Sequence, residues 1–234
     1  MQGKLHSLET FGAVDGPGIR TVFFMQGCPA RCAYCHNPDT WETAGGTEID
    51  IEYVVNKALR GRPYYGDDGG VTFSGGEPLL QGEFLAEAID ALHEKGISVA
   101  VDTSGTYLDD YSESVIKRAD LILLDIKHTD PKSFFEVTAR KQDTLPELIA
   151  LINKYKRHVW IRQVVLPGFN DTDEYMASLK EFLGRVDFVD KVELLGYHDM
   201  GKNKYEKLGM SYRLENLKPM DKEKLAELQA YINE

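Results

Sequence analysis

Residues 71–102 read VTFSGGEPLLQGEFLAEAIDALHEKGISVAVD, and this stretch decides the fold. A short apolar strand at 71–73 runs into a polar turn, and a helix with apolar residues three and four apart follows over 83–95. Gly96 is placed to end that helix, and a second strand follows over 97–101. The order strand, helix, strand predicts two parallel strands joined by a crossover helix.

The same alternation continues on both sides of this unit. Further strands are predicted over 21–25, 121–124, 158–166 and 189–195. Further helices are predicted over 49–60, 110–118, 145–155, 173–183 and 222–232. A doubly wound sheet is compatible with this order, but polar residues recur at the carboxyl ends of the strands, which meet on one face of a barrel. We therefore predict an α/β fold, a partial (β/α)6 barrel of the TIM type with parallel strands, forming a single domain over 1–234.

Composition and charge argue against several classes of protein. The net charge of −11 does not suit general nucleic-acid binding, which uses basic patches to neutralise phosphates. No apolar run approaches the roughly 20 residues that a membrane helix needs. The first seven residues lack the apolar region of a signal peptide, so we expect a cytoplasmic protein.

The three cysteines of the chain, Cys28, Cys32 and Cys35, lie within the sequence GCPARCAYCHNP. An odd, clustered set does not suit a disulfide framework, whereas thiolates suit iron–sulfur clusters or zinc. Three thiolates can hold three irons of a cubane and leave the fourth open, although ordinary electron-transfer clusters use four cysteines. A structural zinc site with His36 as fourth ligand, or three unrelated thiols, also fits the spacing. Because the strand at 21–25 leads directly into this loop, we expect it at the carboxyl ends of the strands.

Charged and glycine-rich residues follow the next strands. Asp102 and Asp125 each end an apolar strand, and two unpaired carboxylates there predict a cation or ammonium between them. Lys127 could bind a carboxylate of a ligand. The glycines of the sequence SGGEP at 74–78 allow close approach of a ligand to the backbone, and Glu77 adds negative charge. A tight turn and helix caps are the alternatives to a binding site.

The C-x3-C-x2-C loop resembles the signature of the radical S-adenosylmethionine superfamily, and SGGEP resembles its motif for the amino group of that cofactor. The resemblance implies a [4Fe–4S] cluster on Cys28, Cys32 and Cys35, with S-adenosylmethionine on the open iron. One electron would cleave a C–S bond to give methionine and a 5′-deoxyadenosyl radical.

Longer stretches resemble the pyruvate formate-lyase activating enzymes, a family of glycyl-radical enzyme activases. These are HSLET at 6–10, VDGPGIR at 14–20, YCHNPDTW at 34–41, VWIR at 159–162 and LGYH at 195–198. The resemblance implies that the radical takes hydrogen from a glycine of pyruvate formate-lyase, the protein substrate, with flavodoxin or ferredoxin as electron donor. We expect a monomer. An activase for a different glycyl-radical enzyme, a simple electron-transfer protein and a non-catalytic zinc-binding or cluster-binding module remain alternatives.

The resemblance also implies residue roles. The contacts to S-adenosylmethionine would come from Tyr34, Cys35, His36, Asn37, Gly76, Asp102, Asp125, Ile126, Lys127 and His198. A monovalent cation (Na⁺ or K⁺) would lie on Asp102, Thr103 and Asp125, beside the carbonyl of Leu123. Asp15 and Arg162 would bind the glycine-containing loop of the partner. No side chain is expected to act as acid or base, because a carbon radical abstracts hydrogen directly and positioning dominates.

Overall fold

The computed structural model describes residues 1–234. The strands are β1 Gln2–Gly12, β2 Arg20–Met25, β3 Thr47–Asp50, β4 Gly70–Gly75, β5 Ser98–Thr103, β6 Leu121–Asp125, β7 His158–Val165 and β8 Val189–Gly196. The helices are α1 Ile51–Gly61, α2 Gly82–His93, α3 Ser112–Arg118, α4 Pro131–Thr138, α5 Leu145–Tyr155, α6 Asp173–Leu183, α7 Lys202–Lys207 and α8 Lys222–Asn233.

All eight strands form one sheet in the order β3-β1-β2-β4-β5-β6-β7-β8. The six strands from β2 to β8 in this order pair in parallel, which confirms the predicted partial barrel. The barrel is open, because β3 and β8 are the two edges of the sheet. The carboxyl ends of the six parallel strands therefore point to one face, where loops can build a site.

The crossover helices bury apolar stripes against this sheet. In α2 the fully buried residues Leu85, Ile89 and Leu92 are spaced four and three apart, as the periodicity predicts. The parallel strands are buried on both faces, as in β6, where residues Leu121 to Leu124 are all buried. This two-sided burial explains why the parallel strands read as short continuous apolar runs.

The antiparallel extension β1–β3 is not predicted by the sequence. β1 pairs antiparallel with both β2 and β3, and only Gly3, Leu5 and Gly12 of its eleven residues are buried. β3 takes the first residues of the helix predicted over 49–60. That helix begins at Ile51, because the carboxylate of Asp50 accepts the backbone N–H of Tyr53 at 2.8 Å.

Two short helices, α4 and α7, are also additions to the prediction. The signal for α4 is an N-cap, since Asp130 Oδ2 accepts the N–H of Ser133 at 2.8 Å and Pro131 occupies the first helical position. Eight and six residues are too few to display a clear helical period. No helix in the structure combines the length and apolar character needed to cross a bilayer.

Candidate active site

A cavity of about 610 Å³ lies at the carboxyl ends of the parallel strands. Every parallel strand contributes to its wall, through Phe24, Ser74, Gly75, Asp102, Asp125, Arg162, Val164, Leu194, Leu195 and Gly196. Cys28, Cys32 and Cys35 line the same cavity. The cysteine loop is thus at the face where the sequence places it.

The helix α4 holds the cysteine loop in place. The backbone N–H groups of Arg31 and Ala33 donate to the carbonyls of Thr138 and Val137, at 2.8 and 2.9 Å. These carbonyls belong to the last turn of α4, where they have no partner within the helix. The end of α4 therefore sets the position of Cys32.

The three thiols are poor acids in this environment. Burial raises the pKa of Cys32 to about 11, although Lys127 acts in the opposite direction. Burial also raises the pKa values of Cys28 and Cys35, while the backbone N–H of Asn37, 3.3 Å from Sγ of Cys35, lowers that of Cys35. The thiols are therefore protonated at neutral pH, and binding an iron–sulfur cluster would release these protons.

Four buried polar side-chain atoms have no hydrogen-bond partner, and all four belong to residues that line this cavity. They are Tyr34 Oη, Asp125 Oδ1, Arg162 Nε and His198 Nδ1. A buried polar group without a partner costs about 1–3 kcal/mol, so their convergence indicates a polar ligand. S-adenosylmethionine offers donors and acceptors through its amino, carboxylate, ribose and adenine groups, and the cysteine thiols beside it suit a [4Fe–4S] cluster.

The zinc alternative finds no support in the geometry. The ring of His36 lies against that of His198 with centroids 4.2 Å apart, and its Nε2 is 3.1 Å from the carbonyl oxygen of His198. No three Cys, His, Asp or Glu side chains converge on one ion position. A structural zinc ion needs four such ligands at about 2.0–2.3 Å.

The two strand-end carboxylates each have a cationic partner from the protein. Asp102 pairs with Arg162 at 2.6 Å and accepts a hydrogen bond from Ser74 Oγ at 2.6 Å. Asp125 pairs with Lys127 at 2.5 Å. Burial lowers the pKa of Lys127, but Asp125 outweighs this and raises it well above the ordinary value. Lys127 and Arg162 thus supply positive charge beside these carboxylates, and the monovalent cation stays a prediction.

The charge of the cavity suits a cationic ligand. Three carboxylates, from Asp15, Asp102 and Asp125, face two cationic side chains, Lys127 and Arg162. S-adenosylmethionine carries a sulfonium and an ammonium against one carboxylate. The surplus carboxylate in the wall therefore balances the surplus positive charge of that ligand.

Glu77 is a structural tie between loops, and it lies outside the cavity wall. It is fully buried and accepts hydrogen bonds from Thr103 Oγ1 at 2.7 Å and from Ser104 Oγ at 2.9 Å. These bonds join the loop after β4 to the loop after β5. Gly76 does line the cavity, and a Cβ there would lie 2.1 Å from the carbonyl oxygen of Gly27. This position therefore requires glycine because the cysteine loop passes so close.

The predicted ligand residues lie together with three exceptions, Leu123, Thr103 and Ile126. The cavity wall includes Asp15, Tyr34, Cys35, His36, Asn37, Gly76, Asp102, Asp125, Lys127, Arg162 and His198. Thr103 and Ile126 are not in the wall, since the hydroxyl of Thr103 binds Glu77 and the side chain of Ile126 belongs to the main core. Only their backbone groups remain for the predicted contacts.

Several wall residues were not predicted. Ser104 follows the predicted Thr103, and Trp41 is the last residue of the quoted stretch 34–41 and meets the ring of Tyr205 edge-on at 5.9 Å. Leu225 comes from α8, far along the chain from the strands, and touches the space beside Gly196. No local sequence pattern marks Leu225 as part of a site, because a leucine on an amphipathic helix is ordinary core.

The comparisons with known proteins agree with this geometry. Residues 22–183 match the model of the Radical SAM superfamily. A pyruvate formate-lyase-activating enzyme of Clostridium pasteurianum is 46% identical over 235 residues, covering 100% of this chain and 98% of that protein. The protein of the same name from Staphylococcus epidermidis is 41% identical, covering 100% of this chain and 96% of its own length.

Solved structures share the fold at low identity. Streptococcus suis SuiB bound to precursor peptide SuiA aligns with a TM-score of 0.70 at 16% identity, over 91% of this chain and 44% of that one. A domain of a pyruvate-formate lyase-activating enzyme from Bacteroides vulgatus aligns with a TM-score of 0.57 at 23% identity, over 70% of this chain and 93% of that one. The chain is a radical S-adenosylmethionine enzyme and belongs to the family of pyruvate formate-lyase-activating enzymes.

Proposed function

We propose that this enzyme activates pyruvate formate-lyase by creating a glycyl radical in it. The observation that carries the proposal is the cavity in which three cysteines and four unpartnered polar atoms lie together. Cys28, Cys32 and Cys35 would hold a [4Fe–4S] cluster, which with one electron and S-adenosylmethionine would supply the radical chemistry that removes a hydrogen atom from a glycine α-carbon of the partner.

The polar wall of the cavity orients the cofactor in this proposal. The unpartnered Oδ1 of Asp125 and Nδ1 of His198 are free to bind its polar groups. Tyr34, Cys35, His36, Asn37, Gly76, Asp102, Ile126 and Lys127 complete the proposed contacts. Because Lys127 holds Asp125 at 2.5 Å, the carboxylate meets the ligand in a fixed orientation.

The apolar wall excludes water from the reacting atoms. Val164, Leu194, Leu195 and Leu225 supply apolar side chains to the wall of the cavity. A carbon radical would otherwise be lost to side reactions, so exclusion of solvent is part of what the protein contributes. No proton has to be transferred by a side chain in a direct hydrogen abstraction.

The proposal also includes a protein substrate and an electron donor. The names of the relatives from Clostridium pasteurianum and Staphylococcus epidermidis support pyruvate formate-lyase as protein substrate. Asp15 and Arg162, which both line the cavity, are proposed to bind the glycine-containing loop. A flavodoxin or ferredoxin would supply the electron.

The first test follows the chemistry in two steps. The protein is purified without oxygen, its cluster is reconstituted and reduced, and formation of 5′-deoxyadenosine and methionine is measured after addition of S-adenosylmethionine. Purified pyruvate formate-lyase is then added and the glycyl radical is sought by electron paramagnetic resonance. We expect both signals, and we expect Cys32→Ala to abolish them.

A variant far from the cavity controls for general damage. Asp90→Ala removes a carboxylate of α2 that pairs with Arg118 on the surface, and it should leave both signals intact. Cleavage of S-adenosylmethionine without a glycyl radical would reject pyruvate formate-lyase as partner and favour another glycyl-radical enzyme. No cleavage by a reduced, intact cluster would reject the radical chemistry and favour an electron-transfer protein.

A further inference from the structure

The residue Arg20 is a fully buried cation that is bound by carbonyl and hydroxyl groups rather than by a carboxylate. Its Nη2 donates to the carbonyl of Val71 at 2.5 Å and of Ser98 at 3.3 Å, and its Nη1 donates to that of Asp68 at 3.2 Å. Burial lowers its pKa to about 10, so the guanidinium remains charged at neutral pH. A buried charge held in this way is costly, and nothing in the cofactor chemistry uses it.

The side chain of Thr72 connects Arg20 to the candidate site. Nε of Arg20 donates to Oγ1 of Thr72 at 2.9 Å, and that hydroxyl donates to the backbone carbonyl of Asp15 at 2.7 Å. A threonine hydroxyl has one hydrogen to donate, and here it goes to Asp15. The positive charge on Arg20 polarises the hydroxyl and strengthens the second hydrogen bond.

The loop that carries Asp15 is packed against the same cation. Gly16 has a φ of +127°, and a Cβ there would lie 3.0 Å from Cδ of Arg20. On the other side, a Cβ on Gly12 would lie 3.0 Å from Oδ2 of Asp15. Gly16 therefore packs against Arg20, whose Nη1 also donates to the carbonyl of Pro17 at 3.5 Å, and the carboxylate of Asp15 lies against Gly12 at the end of β1. From this position Asp15 lines the cavity with Arg162.

We infer that Arg20 and Thr72 are positioning residues that hold Asp15 in the orientation needed to bind the partner's glycine-containing loop. This inference rests on the proposed function, in which Asp15 binds that loop. The relay of Arg20, Thr72 and Asp15 does not touch the cysteines, so it acts on the binding of the partner and leaves cleavage of S-adenosylmethionine unaffected.

The test compares three threonine variants of the cluster-loaded protein. Thr72→Val removes the hydroxyl at nearly constant volume, and Thr72→Ser restores it. Thr21→Val is the matched control, because Thr21 is equally buried on the neighbouring strand but bonds Tyr65, at 2.7 Å. We expect Thr72→Val to raise the KM for the partner about three- to tenfold, the loss of one hydrogen bond. Thr72→Ser and Thr21→Val should keep the wild-type KM.

A double-variant cycle separates positioning from general loss of structure. Thr72→Val should add nothing to the defect of Asp15→Asn, since it acts only through Asp15. All single threonine variants should form 5′-deoxyadenosine at the wild-type rate when no partner is present. An additive defect, or an equal rise in KM for Thr21→Val, would overturn the inference.

Hydrogen exchange measures the relay without the partner. Thr72→Val should speed exchange of the backbone amides of 13–19, whereas Thr21→Val should not. Unchanged exchange in Thr72→Val would show that Thr72 does not hold the backbone of Asp15 and would overturn the inference. Faster exchange with an unchanged KM for the partner would also overturn it, because Thr72 would then stabilise the loop without affecting binding of the partner. If the wild-type enzyme forms no glycyl radical, the proposed function falls, while the exchange data still decide whether the relay holds Asp15.

Discussion

At the scale of single residues, the candidate site depends on paired charges that leave selected atoms free. Asp125 is held by Lys127 through Oδ2, and its Oδ1 is buried without a partner. Arg162 pairs with Asp102 through Nη2, and its Nε is likewise free. An ion pair in which one polar atom lacks a hydrogen-bond partner is preorganised to bind a ligand. The conformational entropy of its side chains is already lost when the protein folds.

The role of Asp125 gives the first prediction. Asp125→Ala should weaken the binding of S-adenosylmethionine about 10- to 100-fold, the loss of one charge-assisted hydrogen bond, and should leave the cluster in place. Equilibrium binding to the cluster-loaded protein, with iron and sulfide analysis, measures both. Asp90→Ala is the control. Wild-type affinity in Asp125→Ala would remove the assigned role.

A second prediction at this scale concerns pH. Burial alone would raise the pKa of Asp171, but Lys224 at 2.6 Å and the N–H of Gly168 at 2.7 Å lower it below the ordinary 3.8. A lowered folded pKa stabilises the protein above the unfolded pKa, and this stability is lost as pH falls through the folded value. Asp171→Asn should therefore cost about 1 kcal/mol at pH 7 and progressively less below about pH 4. Denaturant unfolding of the wild type and of Asp171→Asn at pH 7 and below about pH 4 measures this. A difference in unfolding free energy between the two proteins that stays constant with pH would contradict the prediction.

At the scale of elements, the short helix α4 decides the position of the cysteine loop. Its last carbonyls accept the N–H groups of Arg31 and Ala33. The helix ends at Ala139, which adopts a left-handed conformation with φ of +54°. A non-glycine residue pays a steric cost in this conformation, so the anchor of the loop carries some strain.

Relief of that strain gives the third prediction. Ala139→Gly should raise the free energy of unfolding by up to about 1 kcal/mol, because glycine adopts positive φ without steric cost. The matched control is Ala226→Gly in the exposed middle of α8, which should lower stability by about 1 kcal/mol. Chemical denaturation of both variants gives the comparison. Destabilisation of the same size at the two positions would show that the conformation of Ala139 is not strained.

At the scale of the whole molecule, an open barrel collects residues from distant parts of the chain around one cavity. The cysteine loop, the carboxyl ends of the parallel strands and Leu225 of α8 all line this cavity. The three cysteines line one cavity of the folded chain, so a cluster held by them would bind at a site that the fold builds. Binding of the cluster is therefore coupled to stability of the folded state.

Removal of the cluster gives the fourth prediction. The cluster-loaded protein should unfold at a temperature several degrees above the cluster-free protein, at about 2–4 °C per kcal/mol for a chain of this size. Cys28→Ala should lose most of that difference. Anaerobic scanning calorimetry provides the measurement. Equal unfolding temperatures with and without bound iron would mean that the cluster contributes nothing to the folded state.

Local patterns predicted most of the fold and many of the residues that line the cavity. The apolar residues of 83–95 and of 145–155 recur three and four positions apart. This spacing predicts helices, because it places those residues on the one face that packs against the sheet. The spacing of Cys28, Cys32 and Cys35 indicates a cluster ligand set, since thiolates three and four residues apart reach neighbouring irons. The placement of Asp102 and Asp125 on one face of the barrel follows from the parallel order of the strands, because each residue lies at the carboxyl end of its strand. All of these features are local in the chain, so they can be recognised without coordinates.

The sequence by itself determined the parallel barrel, the cysteine loop and the family to which they belong. Only the tertiary structure decided which charges pair, that Glu77 joins two loops, that α4 anchors Cys32 and that Arg20 reaches Asp15 through Thr72. The physical reason is the range of the interactions. Periodicity and ligand spacing depend on neighbours along the chain, whereas buried ion pairs and hydrogen-bond relays depend on distances between strands that no local pattern encodes.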